Sequence, residues 1–312
     1  MKLSIIFVLV ISSLAIQTCG GSGPSFDEDR SFDYLVKQCD FGPRNPGSDG
    51  YEACKQFLIK EAETHSDDVV LQPFTYTEQK DHQTYDLVNI IARFNPESDI
   101  QIMIGAHWDT RPWAEEDMDK FKRRSPIIGA NDGASGVAVL LELMQVMGKN
   151  APPVGVNIVF LDGEDLGIPG INESFGQGSH YFAKHLPIPK PDEAIIVDMV
   201  GDAQLTLPME RYSYNQNREL VKWLWNRAHE LDLPAFQSKI GYAIYDDHIP
   251  LYQHAGIPAI DIIDFNYPNS YANFWHTHSD LPENCSAESL GQVGVLLTDY
   301  IYSFSEETDG GS

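Results

Sequence analysis

Acids and histidines stand at the ends of apolar runs in this chain, where a fold could bring them together. IMIGAHWD ends on His107 and Asp109, VFLDGED on Asp162, Glu164 and Asp165, and IIVDMVGD on Asp198. The run from Pro258 leads on to FWHTHSD, which holds His276, and Asp132 lies in GANDGASGVAVLLEL where a helix begins. Taken singly, each has an ordinary explanation: Asp132 alone would be an N-cap. Taken together, they form the imidazole and carboxylate donor set that suits a borderline cation such as zinc, and catalytic zinc keeps three protein ligands and one open position. The adjacent acids Glu164 and Asp165 suggest one ligand and one proton-carrying group side by side.

Groups spread this widely along a chain need strands that end at one edge. Extended runs start at Val69 (VVLQPFTY), Asp86 (DLVNIIARF), Asp99 (DIQIMIGAHWD), Val156 (VNIVFLDGED), Glu193 (EAIIVDMVG) and Pro258 (PAIDIID). Helical periodicity covers residues 30–39 and 51–64, and it is clearest in VAVLLELMQVM from Val137, NRELVKWLWNRAHEL from Asn217 and SLGQVGVLLTDYIYSF from Ser289. Strands alternating with helices predict the α/β class: one domain with a central twisted sheet, mostly parallel or mixed, and helices on both faces. In such open sheets ligands collect at the carboxyl ends of the strands, where the acids and histidines stand.

With 312 residues the chain can bury one large core, and no repeat or composition shift marks a second domain. Lys and Arg total 21 against 46 Asp and Glu, a formal charge of -25. A nucleic-acid backbone or an anionic membrane surface is therefore repelled, and nucleic acid is not an expected partner. MKLSIIFVLVISSLAIQTCG pairs a basic start with an apolar run too short for a transmembrane span. Residues 1–25 read as an export signal and flexible leader, residues 26–312 as the catalytic domain, and the location as periplasmic or extracellular. Cys19 is a candidate lipid attachment site, a point that composition leaves open. Cys39, Cys54 and Cys285 are too few for a disulfide scaffold, and the pairing of Cys39 with Cys54 is also left open.

The ordered series GAHWDTRP, GANDGASGVAVLLEL, FLDGED, VDMVGD, YDDHIP and FWHTHSD resembles the zinc-dependent glutaminyl cyclases of the animal and bacterial type. The similarity covers almost everything after the leader, and that family is related to the di-zinc aminopeptidases. It implies one zinc per chain held by Asp132, Asp165 and His276, with Glu164 as the acid/base. It further implies that Asp198 and Asp246 hold the amine and the leaving amide and that Trp275 walls the glutamine pocket. The expected substrates are peptides and exported proteins with N-terminal Gln. Asp246 could instead cap a helix, Asp247 reads as a cap or a supporting group, and Trp275 could be an ordinary buried Trp. Asp165 is a departure, since many animal members carry Glu there. His107 and Asp198 match the second metal site of the aminopeptidases, with Asp109 orienting the His107 ring, so metal number stays open and His107 stays outside the ligand set. His248 and His278 read as solvated or satisfied loop histidines. The rival readings are a di-zinc aminopeptidase, in which Glu164 would activate water, and a non-catalytic binding module, which the intact ligand set argues against.

Overall fold

The structure, a computed structural model, describes residues 23–78 and 82–309; the export signal and Cys19 lie outside the described residues. Two helices open it, α1 (Glu28–Asp40) and α2 (Asp49–His65). Asp27 and Ser48 are their N-caps, accepting from the Arg30 and Tyr51 N–H groups, which would otherwise lack partners in the first turn. Then come β1 (Asp68–Thr77), β2 (Thr84–Phe94), β3 (Gln101–His107), α3 (Ala134–Lys149) and β4 (Gly155–Leu161). They are followed by α4 (Gln177–Lys184), β5 (Glu193–Asp198), β6 (Leu207–Met209), α5 (Arg211–Gln216) and α6 (Arg218–Glu230). The chain closes with β7 (Phe236–Ile240), α7 (His248–Ala255), β8 (Ala259–Ile263) and α8 (Ala287–Asp309).

Six strands form the main sheet in the order β1-β2-β4-β3-β5-β8. The pairs β4 with β3, β3 with β5 and β5 with β8 are parallel, whereas β1 with β2 and β2 with β4 are antiparallel. The sheet is therefore mixed, with a parallel half and an antiparallel edge. Strands β3 and β4 are buried along their whole length, as their continuous apolar runs require of central parallel strands. Alternation divides their side chains between two layers: Ile102 and Ile104 pack towards α1, α3 and α8, while Met103 and Val159 face the layer with Phe182 and Leu251 of α4 and α7.

Helix α3 is apolar nearly all round because it is enclosed between the sheet and the outer helices. It lies so close to β5 that a Cβ on Gly136 would sit 2.1 Å from the Val197 carbonyl oxygen, so only a hydrogen fits. The strand order reverses at β3, which has β4 on one side and β5 on the other. The crevice at their carboxyl ends is the switch point where open α/β sheets bind ligands, and His107, Asp162 and Asp198 stand there. Cys39, Cys54 and Cys285 are buried free thiols, so Cys39 and Cys54 are not bridged. Among the described residues no helix is long and apolar enough to cross a membrane.

Arg30 of α1 ties that helix to α3. It grips the fully buried Glu142 carboxylate through Nε (2.6 Å) and Nη2 (2.5 Å). Arg30→Ala would leave that charge buried with one backbone donor from Asp27. Unfolding in urea is expected to show a loss of about 2–4 kcal/mol, less than for a fully enclosed pair because Arg30 is partly exposed.

Candidate active site

Asp132 precedes α3 but does not cap it; Gly133 occupies the cap position and no side chain bonds the first turn. Its carboxylate instead points between two histidines. Oδ1 lies 3.2 Å from His107 Nε2 and Oδ2 lies 3.7 Å from His276 Nε2. Asp280 holds this segment by accepting the N–H groups of Asn131 (2.7 Å) and Asp132 (3.1 Å), and the Tyr267 hydroxyl (3.0 Å) braces Asp280 in turn. A side chain at Gly133 is excluded, since its Cβ would fall 2.5 Å from His107 Cε1.

Asp165 sits in the short 3-10 turn Glu164–Leu166 that follows β4. Asp109, beyond β3, accepts the N–H groups of both Glu164 and Asp165 at 3.1 Å and so fixes the turn. Arg111, fully buried, donates Nη1 to the Asp165 (2.7 Å) and Gly167 (2.8 Å) carbonyls and Nη2 to Glu115 (2.5 Å). Glu115 also meets His276 Nδ1 at 3.0 Å. That contact assigns the proton to Nδ1 and leaves Nε2 facing Asp165 Oδ1 at 3.1 Å, the arrangement by which a carboxylate orients a metal-binding imidazole. His276 holds this pose in the left-handed region, with φ 55.

Asp132, Asp165 and His276 thus offer one ligand atom each within 4.8 Å, all buried, and neither Asp165 oxygen has a hydrogen-bond partner. Buried carboxylate oxygens without partners are costly, and a borderline divalent cation would satisfy them, so the residues fit zinc. A second group, His107, Asp132 and Asp198, shares Asp132, with His107 Nε2 3.1 Å from Asp198. Burial works against charge on each of these groups. At His276 the neighbouring Asp165 outweighs it and lifts the imidazole to about 9, while His276 and Arg111 pull Asp165 down to about 2. At Glu164 burial prevails: opposed by His107 and reinforced by Asp165, Asp246 and Asp247, it pushes the carboxyl well above its usual range.

These groups open into a cavity of about 560 Å³. Glu164, Asp198 and Asp246 line it, and Trp275 forms a wall with Phe265, their ring centroids 5.1 Å apart. Trp275 also stacks on the His276 ring at 3.7 Å, and it both lines the cavity and packs against Met199, Ile263 and Tyr267.

The model of peptidase family M28 matches residues 89–301. The chain belongs to peptidase family M28. It is similar to the glutaminyl cyclase of Bacteroides thetaiotaomicron, solved with N-acetylhistamine: 33% identity, TM-score 0.86, covering 90% of this chain and 99% of that one. A Zn-dependent exopeptidase from Parabacteroides distasonis matches as well, with 34% identity, TM-score 0.86 and coverage of 90% and 99%. Bovine glutaminyl-peptide cyclotransferase is 23% identical over 299 residues, spanning 84% of this chain and 78% of its own length.

The structure of this M28 chain brings Asp132, Asp165, His276, Glu164, Asp198, Asp246 and Trp275 to one cavity. Asp109 stands beside the His107 ring, its Oδ1 3.6 Å from Nδ1, and also accepts the backbone N–H groups of the Glu164 turn. One sequence expectation needs correction. His248 is no solvated loop residue: it opens α7, fully buried, 3.3 Å from Glu210 and 3.9 Å from Asp261. Asp247 occupies the cap position of α7 without bonding its first turn, and accepts from the Ser179 hydroxyl. Asp246 likewise makes no side-chain cap. His278 is a satisfied loop histidine, 2.9 Å from Asp117.

Sequence reading missed Arg111, Glu115 and Asp280. Arg111 lies inside the GAHWDTRP motif and carried a signal; Glu115 and Asp280 act through loops that meet only in the fold. Arg111→Lys keeps the charge but loses the planar fork that binds two carbonyls and Glu115 together. Urea unfolding is expected to show a loss of about 2–4 kcal/mol for this fully buried group, and an unchanged midpoint would deny Arg111 its role as the tie between the two loops.

Proposed function

We propose that the chain is a glutaminyl-peptide cyclotransferase, which closes an N-terminal glutamine to pyroglutamate and releases ammonia. The observation that carries the reading is geometric: Glu164 stands beside the Asp132, Asp165 and His276 group without belonging to it, in a cavity that Trp275 and Phe265 wall. The likeness to the Bacteroides cyclase over nearly the whole chain supports it. A zinc ion held by Asp132, Asp165 and His276 supplies, when bound, a Lewis acid for the γ-carbonyl oxygen.

The protein's own groups divide the remaining work. Asp198 and Asp246 receive the α-amine and the departing amide nitrogen. Trp275 and Phe265 press the glutamine side chain back upon its amine, and such orientation contributes up to about 7–11 kcal/mol in favourable intramolecular cases. Glu164 takes a proton from the amine as its nitrogen bonds to the side-chain carboxamide carbon (Cδ), then gives a proton to the amide nitrogen as the old C–N bond breaks and ammonia leaves. No side chain need act as a nucleophile. Substrates would be peptides and exported proteins, since the leader suits delivery to the periplasm or exterior with Cys19 a candidate anchor.

A second reading, a di-zinc aminopeptidase, is favoured by one observation: His107, Asp132 and Asp198 complete a second donor group that shares Asp132 with the first. In that case Glu164 would activate water, and a free N-terminal amino acid would be released. Mass spectrometry of a Gln-initiated peptide separates the two readings. Loss of ammonia with the first peptide bond intact supports the cyclase; a released amino acid replaces it with the peptidase.

Glu164→Gln keeps the size of the side chain and removes its proton transfer. Cyclisation is expected to fall about 10²–10⁴-fold with zinc content near wild type. Asp165→Ala should lose zinc and activity together, as read by metal analysis beside the ammonia assay. Full activity of Glu164→Gln would remove Glu164 from the mechanism.

A further inference from the structure

A second depression of about 380 Å³ adjoins the catalytic cavity, and the two share Tyr242, Ile244, Ile263 and Phe265 as a common wall. The loop in that wall is pinned. Glu210 accepts the Ile244 N–H at 2.9 Å, while Arg211 donates its backbone N–H to the Tyr242 carbonyl (3.0 Å) and Nη2 to the Gly241 carbonyl (3.2 Å). The rim exposes apolar surface, with Tyr242 at 78% and Ile240 at 48% of their full exposure. Clustered exposed apolar side chains beside a catalytic cavity mark a surface that a substrate covers.

The two depressions differ in charge: the first is strongly acidic, whereas in the second two cations face two acids. The catalytic cavity is lined by seven acidic side chains and by no lysine or arginine. Its neighbour is lined by Arg211 and Lys239, both exposed, and by two acids that are already engaged. Asp264 accepts from the Thr206 (2.7 Å) and Asn266 (3.0 Å) N–H groups, and Glu210 from those of Tyr212 (2.9 Å) and Ser213 (2.6 Å). A peptide whose amine sits among the acids needs only one or two further residues to pass the shared wall, at about 3.3–3.6 Å per extended residue.

We propose that this second depression is the subsite for the residues following the N-terminal glutamine, and that Arg211 and Lys239 select peptides with a carboxylate there. The carboxylate is an acidic side chain at the second or third position, or the terminal carboxylate of a very short peptide. The proposal rests on the cyclase reading of the neighbouring cavity. Its sign is diagnostic, because a chain of net charge -25 would otherwise disfavour acidic peptides and attract basic ones.

The test is kcat/KM for ammonia release by the zinc-loaded enzyme from Gln-Glu-Ala-amide, Gln-Ala-Ala-amide, Gln-Lys-Ala-amide and the pair Gln-Ala and Gln-Ala-amide. A carboxylate-bearing peptide is expected to exceed its neutral counterpart by about threefold to tenfold, the range for exposed ion pairs made with two cations. Preference for Gln-Glu-Ala-amide points to the side chain, and preference for Gln-Ala over its amide to the terminal carboxylate. In Lys239→Glu, and in the double variant Arg211→Gln with Lys239→Gln, the ratio should fall to one or below. Equal rates in the wild type, or a preference that survives in both variants, overturns the subsite and leaves the cyclase reading standing. No ammonia from any peptide overturns both.

Discussion

Asp132 lies between His107 and His276, its two oxygens divided between their Nε2 atoms, and the catalytic crevice is organised about that carboxylate. Both a distant residue and its own neighbours in the chain fix it. Asp280 clamps its backbone, α3 begins directly after it, and Gly133 is bare so that the His107 ring can approach. A carboxylate between imidazoles can serve one donor group or join two, which is why this arrangement underlies both readings of the chemistry.

The density of carboxylates sets the second constraint. Asp132, Asp165, Asp198, Asp246 and Glu164 all face a single cavity, and burial penalises each charge while neighbours repel. The described structure answers with His107, His276 and Arg111, and with backbone N–H groups gathered by Asp109 and Asp280. His276 and Arg111 compensate Asp165, whereas what is left unanswered falls on Glu164, whose proton affinity rises. Adjacent carboxyls thus differ in proton affinity because only Asp165 pairs with His276 and Arg111.

Behind the cavity, Glu210, His248 and Asp261 form a buried polar layer between α5, α7 and β8. Glu210 caps α5 and also holds the Ile244 N–H, so the loop bearing Tyr242 and leading to Asp246 is tied to the scaffold at the point where the two depressions meet. Rigidity there serves the active cavity and the neighbouring depression alike, since a wall shared by two pockets positions whatever occupies either.

The α/β class, the alternating strands and helices, and the candidate residues Asp132, Glu164, Asp165, Asp198 and His276 were legible because each belongs to a local pattern, while Asp246 and Trp275 were picked out only by the family resemblance. Apolar runs of strand length end abruptly on acids, and motifs such as FLDGED and FWHTHSD keep their residues within a few positions of one another. Burial of an apolar strand and the polarity of its exit are written in neighbouring residues, so sequence alone determines them. Partners that meet across the fold are not written that way. That Asp109 holds the Glu164 turn as well as facing the His107 ring, that Glu115 joins Arg111 to His276 across 161 positions, and that His248 is buried against Glu210 depend on how loops from different strands converge. The divided role of Asp132 was likewise hidden, because an acid before a helix reads as a cap until tertiary packing turns its side chain towards two histidines. Hydrogen-bond direction and charge compensation are properties of three-dimensional proximity, and only the tertiary structure decided them.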